Sequence, residues 1–585
     1  MDRPVKRQRV SEHKQEDTIV DPATVNTESL ASLSRSITPP LRLRAGSQQQ
    51  PSRDVPSILG AEHFETQSVS KIYDNEESDS YERQPRVLRS PVQLSHIRDL
   101  PHSSGNNVDT IQLRDILGDP LIRECWQFNY CFDVDFIMRQ FDEDVRNIVK
   151  VKIVHGSWKK DSPNRIGIDE ACTRYPNTEA ITAYMPEPFG THHSKMMVLL
   201  RHDDLAQVII HTANMIPGDW ENMTQAIWRS PLLPLASPAT TLKTKVSPTF
   251  GSGERFKRDL IAYLNCYGSR KTGSLVSQLK KCDFTSVRAA LIASVPSKEK
   301  LCNIDSTKST IWGWPALKDT IRQVPLKSTE GNSNPHIVIQ VSSIATLGQT
   351  DKWLKEALFS SLSPVSASSS PGISDKTKYS IIFPTPDEIR RSLHGYASGG
   401  SIHMKLQSAA QKRQLQYLRP FFCHWAGDQD NPTNVRNATL PKREAGRRRA
   451  APHIKTYIRF SDQTTMDRID WAMVTSANLS TQAWGSTVNA NGEVRVCSWE
   501  IGVILWPGLI ADNPKNTARN NHAEMIPCFK KDTPIWSSSI DSDVPLVGFR
   551  MPYDLPLTPY NAHDVPWCAT TSHLEPDWLG QTWTV

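Results

Sequence analysis

The sequence predicts an α/β protein built from two similar domains related by a pseudo-twofold axis. Three observations carry that expectation. Segments of strand character alternate with helical ones along most of the chain. One constellation of His, Lys and Asn occurs twice, its two histidines 260 residues apart. The 585 residues, 38% of them hydrophobic, suffice for two or three cores at about 100–200 residues per domain.

Residues 1–95 are rich in Ser, Gln, Glu, Arg and Pro and too poor in apolar groups to offset chain entropy, so a disordered tail is expected. Within it, Arg3-Pro4-Val5-Lys6-Arg7-Gln8-Arg9 reads as a nuclear import signal or as an ordinary charged tail. The first domain is expected over residues 108–300. There Ile116, Leu117, Ile122, Trp126, Phe128 and Phe132 point to buried helix and loop, and the alternation Val149-Lys150-Val151-Lys152-Ile153-Val154 to a strand. Residues 196–200, 208–211, 337–341, 380–383, 454–458, 471–475 and 501–506 are further strand candidates. Residues 257–266 and 408–418 are helical ones. The second domain is expected over 301–585.

Three segments read as surface insertions by composition: 237–253, 360–374 and 428–449. The last ends in Arg447-Arg448-Arg449, a run that could touch phosphate or be a solvated loop.

The repeated pattern carries the chemistry. Its first copy is His193-Ser194-Lys195 with Thr212-Ala213-Asn214, and its second is His453-Ile454-Lys455 with Ser476-Ala477-Asn478. On a strand, residues two apart share a face, so each His and Lys would project together. The Asn at the end of the next strand could join them. Two half-sites packed about a pseudo-twofold axis would give one pocket with two His, two Lys and two Asn. Lysines and amides suit the non-bridging oxygens of a phosphodiester, where charge builds in the transition state. One imidazole can act as nucleophile and the other as general acid. No Asp/Glu/His cluster with metal spacing accompanies either copy, so the lysines are expected to supply the positive charge, with no metal or cofactor.

The paired motif resembles the H-K-D motifs of the phospholipase D superfamily, with Leu200 and Phe460 at the positions of the acids. That departure is similar to the tyrosyl-DNA phosphodiesterase family, where H-K-N stands in its place. The likeness extends through Pro188-Phe189-Gly190-Thr191-His192-His193, Asp219-Trp220, Thr224-Gln225, Gln340-Val341-Ser342-Ser343, Gly399-Gly400-Ser401, Asn478-Leu479-Ser480 and Glu500-Ile501-Gly502.

The resemblance implies two phospholipase D-like domains, each a mixed sheet flanked by helices. It implies His193 as the nucleophile, forming a phosphohistidine, and His453 as the acid and then the base. Lys195, Lys455, Asn214 and Asn478 become a phosphate clamp, and Gln225 and Glu500 groups that orient the histidines. Ser342, Ser343, Ile344, Ala345, Thr346, Gly400, Ser401 and Ser480 become substrate contacts. Beside them, Phe189 reads as an aromatic that could stack on a terminal base or as a core aromatic beside a turn, and Trp567 as a residue that could line the peptide side. The implied reaction is DNA repair in the nucleus: hydrolysis of a 3′-phosphotyrosyl bond, or of other 3′ blocks on single- or double-stranded DNA. The partners are then DNA and a topoisomerase-derived peptide, and a monomer can assemble the site.

A lipid-acting phospholipase D and a catalytically inactive DNA-binding scaffold are the alternatives. The missing acids oppose the first, and the presence of all six motif residues opposes the second. The net charge of +6 fits a polyanionic partner without demanding one. The opening residues lack the apolar core of a secretory leader, and no stretch approaches the ~18 apolar residues of a membrane span. None of the ten cysteines forms a C-x-x-C pair. A soluble intracellular protein with reduced thiols and no membrane partner is expected.

Overall fold

The computed structural model describes residues 86–237, 248–326, 334–364, 377–426, 441–511, 523–535 and 544–585. The basic cluster at 3–9, most of the expected tail and residues 238–247, 365–374 and 428–440 of the expected insertions lie outside them.

Strands are numbered along the chain, beginning with β1 (Val87–Leu88) and β2 (Val92–Leu94). The next six are β3 (Ile122–Phe128), β4 (Lys150–His155), β5 (Thr178–Thr182), β6 (Met196–Arg201), β7 (Ala206–His211) and β8 (Ala226–Arg229). With β2 they form a seven-stranded sheet in the order β2-β8-β7-β6-β3-β4-β5. The pairs β3–β4 and β4–β5 are parallel and the rest antiparallel, so the sheet is mixed.

The chain then runs through β9 (Ala290–Ser294), β10 (Ser297–Lys300), β11 (His336–Gln340), β12 (Ser343–Ile344), β13 (Lys378–Ile382), β14 (His403–Met404) and β15 (Phe422–Cys423). It ends with β16 (Thr456–Phe460), β17 (Ile469–Thr475), β18 (Glu493–Val496), β19 (Glu500–Leu505), β20 (Glu524–Cys528) and β21 (Leu546–Arg550). The second sheet contains the order β15-β13-β11-β16-β17-β19-β9. Again the first two pairs are parallel and the others antiparallel.

Strand for strand and direction for direction, this repeats the first sheet. β6 and β16 occupy the same place, and their first residues, Met196 and Thr456, stand 260 apart like the two histidines. Beyond the repeat, β20, β21 and β1 extend the second sheet, while β10 pairs with β18 and β12 with β14 outside it.

The sheets explain why the strands read as continuous apolar runs. Both faces of the first sheet are buried, and successive residues of β6 alternate between two cores. Met197 and Leu199 join Ile116, Phe136 and Ile168 on one face. Met196, Val198 and Leu200 join a larger core that continues through Phe256, Tyr263 and Trp499 into the second sheet. Each such large side chain, fully buried, contributes about 1.5–3 kcal/mol.

Several expectations need correction. β1 and β2 lie inside the stretch expected to be disordered to residue 95. They are ordered because β1 pairs with β21 and β2 with β8, which buries Val92 and Leu94. Ile122, Trp126 and Phe128 belong to the central strand β3, not to helix and loop. Its polar residues mask the pattern although they lie inside: Glu124 accepts from Trp126 Nε1 at 2.7 Å, and fully buried Gln127 donates through Nε2 to Cys125 Sγ at 3.3 Å. By sheet membership the second repeat opens at β9, before residue 300.

The edges of the insertions are structured too. Ser252 caps the helix Gly253–Asn265, accepting from the Arg255 N–H. Ser360–Leu362 is helical. Arg447 is buried and donates to Ser95 O at 2.7 Å, Arg448 pairs with Asp554 at 2.6 Å, and Arg449 lies 5.0 Å over the Trp578 ring. Arg447 and Arg448 thus tie the chain together, while Arg449 stays exposed beside that ring.

Candidate active site

The two His-x-Lys triplets lie in extended chain just before β6 and β16, not within them. Their backbone is claimed by the opposite repeat. His193 N donates to Trp499 O at 2.9 Å, and Trp499 N to Thr191 O at 2.9 Å. In the other half, Thr224 N donates to Ala451 O at 2.9 Å. Trp499 immediately precedes Glu500, and Thr224 immediately precedes Gln225. Each histidine is thereby delivered to a polar residue of the other repeat.

On one side, Glu500 Oε2 stands 3.0 Å from His193 Nδ1 and also accepts from Ser476 Oγ. On the other, Gln225 Nε2 stands 3.3 Å from His453 Nδ1, and Gln225 Oε1 accepts from Thr212 Oγ1 at 2.8 Å. Ser476 and Thr212 each lie two residues before the motif asparagine, so the two second layers are equivalent. One residue breaks the equivalence: Asp219 Oδ2 lies 3.0 Å from His453 Nδ1. Asp219 is five residues past Asn214, and Ala483 stands at the matching place past Asn478.

The lysines are fully buried. Lys195 Nζ donates to His193 O at 3.3 Å, and Lys455 Nζ lies 3.2 Å from His453 Nε2. Asn478 Oδ1 accepts from the backbone N–H groups of Ser342 at 3.1 Å and Ser343 at 2.9 Å. Its oxygen being taken, the amide nitrogen is left for the cleft.

The electrostatics follow from burying this much charge. Burial, then Lys195, push the His193 ring down to about 4, against the pull of Glu500. Burial pushes the Lys195 ammonium down to about 8, opposed by Glu500 and Asp219. Burial, then Lys455 and Lys195, hold His453 well below the ordinary histidine range. Burial, then Lys195, hold the Lys455 ammonium well below the ordinary lysine range, so at neutral pH His193 is an uncharged imidazole beside the Lys195 cation.

The two histidines, the two asparagines and Glu500 line a cleft of about 450 Å³ together with Tyr130, Cys131, Thr191, Ile216, His403, Gln482 and Ser498, while Lys195, Lys455, Gln225 and Asp219 lie behind that lining. His193, Asn214, His453, Asn478, Glu500, Ser342, Ser343, Ala345, Gly400, Ser401, Ser480 and Phe189 are among its lining residues. Phe189 stands on the rim, 81% exposed. The Ser480 hydroxyl is occupied as a helix cap, accepting from Gln482 N and Ala483 N and donating to Gln482 Oε1.

Three expected contacts are elsewhere. Ile344 is buried in the main core, because β12 pairs with β14 and turns its side chain inward. Thr346 is exposed, outside the cleft lining. Trp567 is fully buried beneath the glycine loop, its Nε1 donating to Gly399 O and Ile402 O at 3.1 Å each. A Cβ on Gly399 would come within 2.2 Å of that indole, so only glycine fits there.

Sequence reasoning missed Asp219 and Tyr130. Asp219 lacks a counterpart in the other repeat, so duplication could not flag it. Tyr130, whose ring centroid lies 5.8 Å from that of His193, was detectable. It stands two residues past β3, as Ser342 stands two residues past β11.

Among the described residues, no group of three or more His, Cys, Asp or Glu could hold a metal ion, and no helix is long and apolar enough to cross a membrane.

The family model for tyrosyl-DNA phosphodiesterase matches residues 91–561. A Schizosaccharomyces pombe protein named probable tyrosyl-DNA phosphodiesterase is 29% identical over 566 residues, covering 85% of this chain and 96% of its own. An Arabidopsis thaliana protein named tyrosyl-DNA phosphodiesterase 1 is 29% identical over 522 residues, covering 85% and 77%. A crystal structure of the yeast tyrosyl-DNA phosphodiesterase aligns with a TM-score of 0.55 at 21% identity, over 82% of this chain and 99% of that one. The fold is the two-domain phospholipase D-like fold. With a family match over most of its length and the duplicated His-Lys-Asn site in one cleft, the chain belongs to the tyrosyl-DNA phosphodiesterase family and is a phosphodiesterase, a hydrolase.

Proposed function

We propose that this protein repairs DNA 3′ ends in the nucleus by hydrolysing the 3′-phosphotyrosyl bond to a peptide left by a stalled topoisomerase, and that it accepts other 3′ blocks on single- or double-stranded ends. The observation that carries this reading is the opposed pair of histidines, each with Nδ1 held by the other repeat and each beside a buried lysine.

With its Nδ1–H donating to Glu500, neutral His193 keeps the Nε2 lone pair for attack on phosphorus. The P–N bond forms as the P–O bond to the tyrosine breaks. A proton from His453 Nε2 goes to the departing phenolate, an oxygen whose pKa of about 10 favours departure. His453 then takes a proton from water, the hydroxide displaces His193 from phosphorus, and a 3′-phosphate leaves. Lys195, Lys455, Asn214 and Asn478 hold the non-bridging oxygens throughout, so the charge usually supplied by a metal comes from the protein. Ser342, Ser343, Gly400 and Ser401 sit where the strand's phosphates would be positioned without reading sequence, and exposed Phe189 where a terminal base could stack. A monomer suffices, because one chain contains both half-sites.

The test is an oligonucleotide bearing a 3′-phosphotyrosine, incubated in excess EDTA and resolved on a denaturing gel. Conversion to the 3′-phosphate is expected. An oligonucleotide left intact in both EDTA and Mg²⁺ overturns the reading and turns attention to lipid phosphodiesters. Cleavage only with Mg²⁺ overturns the metal-independent mechanism.

A further inference from the structure

We infer that Asp219 is a positioning residue whose negative charge allows His453 to become the imidazolium that serves as general acid. What that proton does rests on the phosphotyrosyl reading; that Asp219 controls it does not.

His453 Nδ1 faces two groups, Asp219 Oδ2 at 3.0 Å and Gln225 Nε2 at 3.3 Å. The Gln225 amide cannot turn over. Its oxygen takes the Thr212 hydroxyl, and its nitrogen donates to the Asp219 backbone carbonyl at 3.1 Å. Gln225 Nε2 is therefore a donor only, and it reaches Nδ1 only when Nδ1 is bare. Asp219 is an acceptor, and it binds Nδ1 only when Nδ1 carries a proton.

The remaining titratable groups facing His453 are Lys455, Lys195, His193 and His403. None of these favours a second proton on the ring, and Gln225 adds nothing when Nδ1 is protonated. Asp219 alone opposes them at contact distance. It is itself held in place: Oδ2 accepts the Asn214 N–H at 2.7 Å, and Oδ1 accepts the Ser401 hydroxyl at 3.3 Å. The same Asp219 bond that stabilises the imidazolium keeps the neutral ring protonated at Nδ1 after the proton has gone to the phenolate. Nε2, beside Lys455 Nζ at 3.2 Å, then carries no proton and can take one from water. One carboxylate thus suits both steps.

The Asp219→Asn variant removes the charge and nearly keeps the shape, since its side-chain oxygen can still accept from Asn214 N. It is compared with wild type on two 3′-phosphodiesters of the same oligonucleotide, one to tyrosine and one to p-nitrophenol, whose anion leaves without a proton. Release of tyrosine is expected to slow by about 10²–10⁴-fold, the usual contribution of a general acid. Release of p-nitrophenolate in the first turnover is expected to slow by less than about tenfold, followed by accumulation of covalent adduct because the base step is also impaired.

A second measurement needs no turnover. In ¹⁵N-histidine spectra with a 3′-phosphorylated oligonucleotide bound, His453, assigned by its loss in His453→Gln, is expected to titrate about one to three pH units lower in Asp219→Asn than in wild type. Equal slowing for both leaving groups, or an unchanged His453 titration, overturns the inference. A wild type inert toward phosphotyrosine sinks the functional reading instead, and the titration still decides the role of Asp219.

Discussion

Glu500 and His193 lie 307 residues apart in the chain and come from different repeats, yet the carboxylate stands 3.0 Å from the ring nitrogen. Attack by Nε2 turns His193 into a phosphorylated imidazolium, and a carboxylate at Nδ1 stabilises that charge as it forms. Glu500→Gln keeps a hydrogen-bond acceptor but removes the charge. Its kcat/KM on a phosphotyrosyl oligonucleotide is expected to fall about 10²-fold. Because Glu500 raises the His193 pKa, the acid limb of the pH profile should also move to lower pH. A profile that keeps its limb would show that the contact is only packing.

The wild-type profile itself is a second prediction. His193 must be neutral to attack, and its ring sits near 4; Lys195 must be charged to clamp phosphate, and its ammonium sits near 8. In the free enzyme, kcat/KM is expected to rise through about pH 4, to begin falling below about pH 6.5 as His453 loses the proton it must donate, and to fall further near pH 8 with the Lys195 charge. A single limb near pH 6.5 would mean that His193 titrates as an ordinary histidine.

Away from the cleft, His424 predicts a pH dependence of stability. Its Nε2 lies 2.9 Å from Asp564 and its Nδ1 3.3 Å from Glu388. Burial works against the charge, yet the two carboxylates raise the ring to about 9. The folded pKa is above the unfolded value of about 6.5, so the stabilisation is fully present below about pH 6.5 and lost as pH rises through about 9. It is worth on the order of 3 kcal/mol at its fullest. Thermal melts of His424→Gln should show the largest deficit against wild type near pH 6, and little near pH 9.5.

Trp567 is expected to matter as a support and not as a peptide contact. Its indole carries the Gly399–Ser401 loop and packs on His573, ring centroids 4.7 Å apart. Trp567→Ala should cost about 3–5 kcal/mol. It should lower activity on long and short tyrosyl peptides alike. A change in peptide preference without loss of stability would restore the direct contact.

Much of the site was legible because it is written twice. His193, Lys195 and Asn214 repeat as His453, Lys455 and Asn478, and the cleft brings His193, Asn214, His453 and Asn478 to its walls with both lysines bonded behind their histidines. Strands such as β6 and β16 were visible as apolar runs because both their faces are buried. What escaped notice follows from the same physics. β3 carries Arg123, Glu124 and Gln127 in a buried sheet, where side-chain bonds hold them inside and the apolar signal is lost. β1 and β2 are stabilised by partners more than 100 residues away, which local composition cannot report. Ile344 and Trp567 sit within stretches shared with the family, but sequence does not say which side of the backbone faces the cleft.

The division of labour between the two histidines is most directly tested by trapping. Wild type, His193→Ala and His453→Ala are each mixed with a labelled oligonucleotide bearing a 3′-phosphotyrosine, quenched in denaturant and run on a gel that separates protein–DNA adducts. The account predicts a long-lived covalent band from His453→Ala, no band from His193→Ala and full turnover only in wild type. A covalent band from His193→Ala with none from His453→Ala would reverse the roles and contradict it.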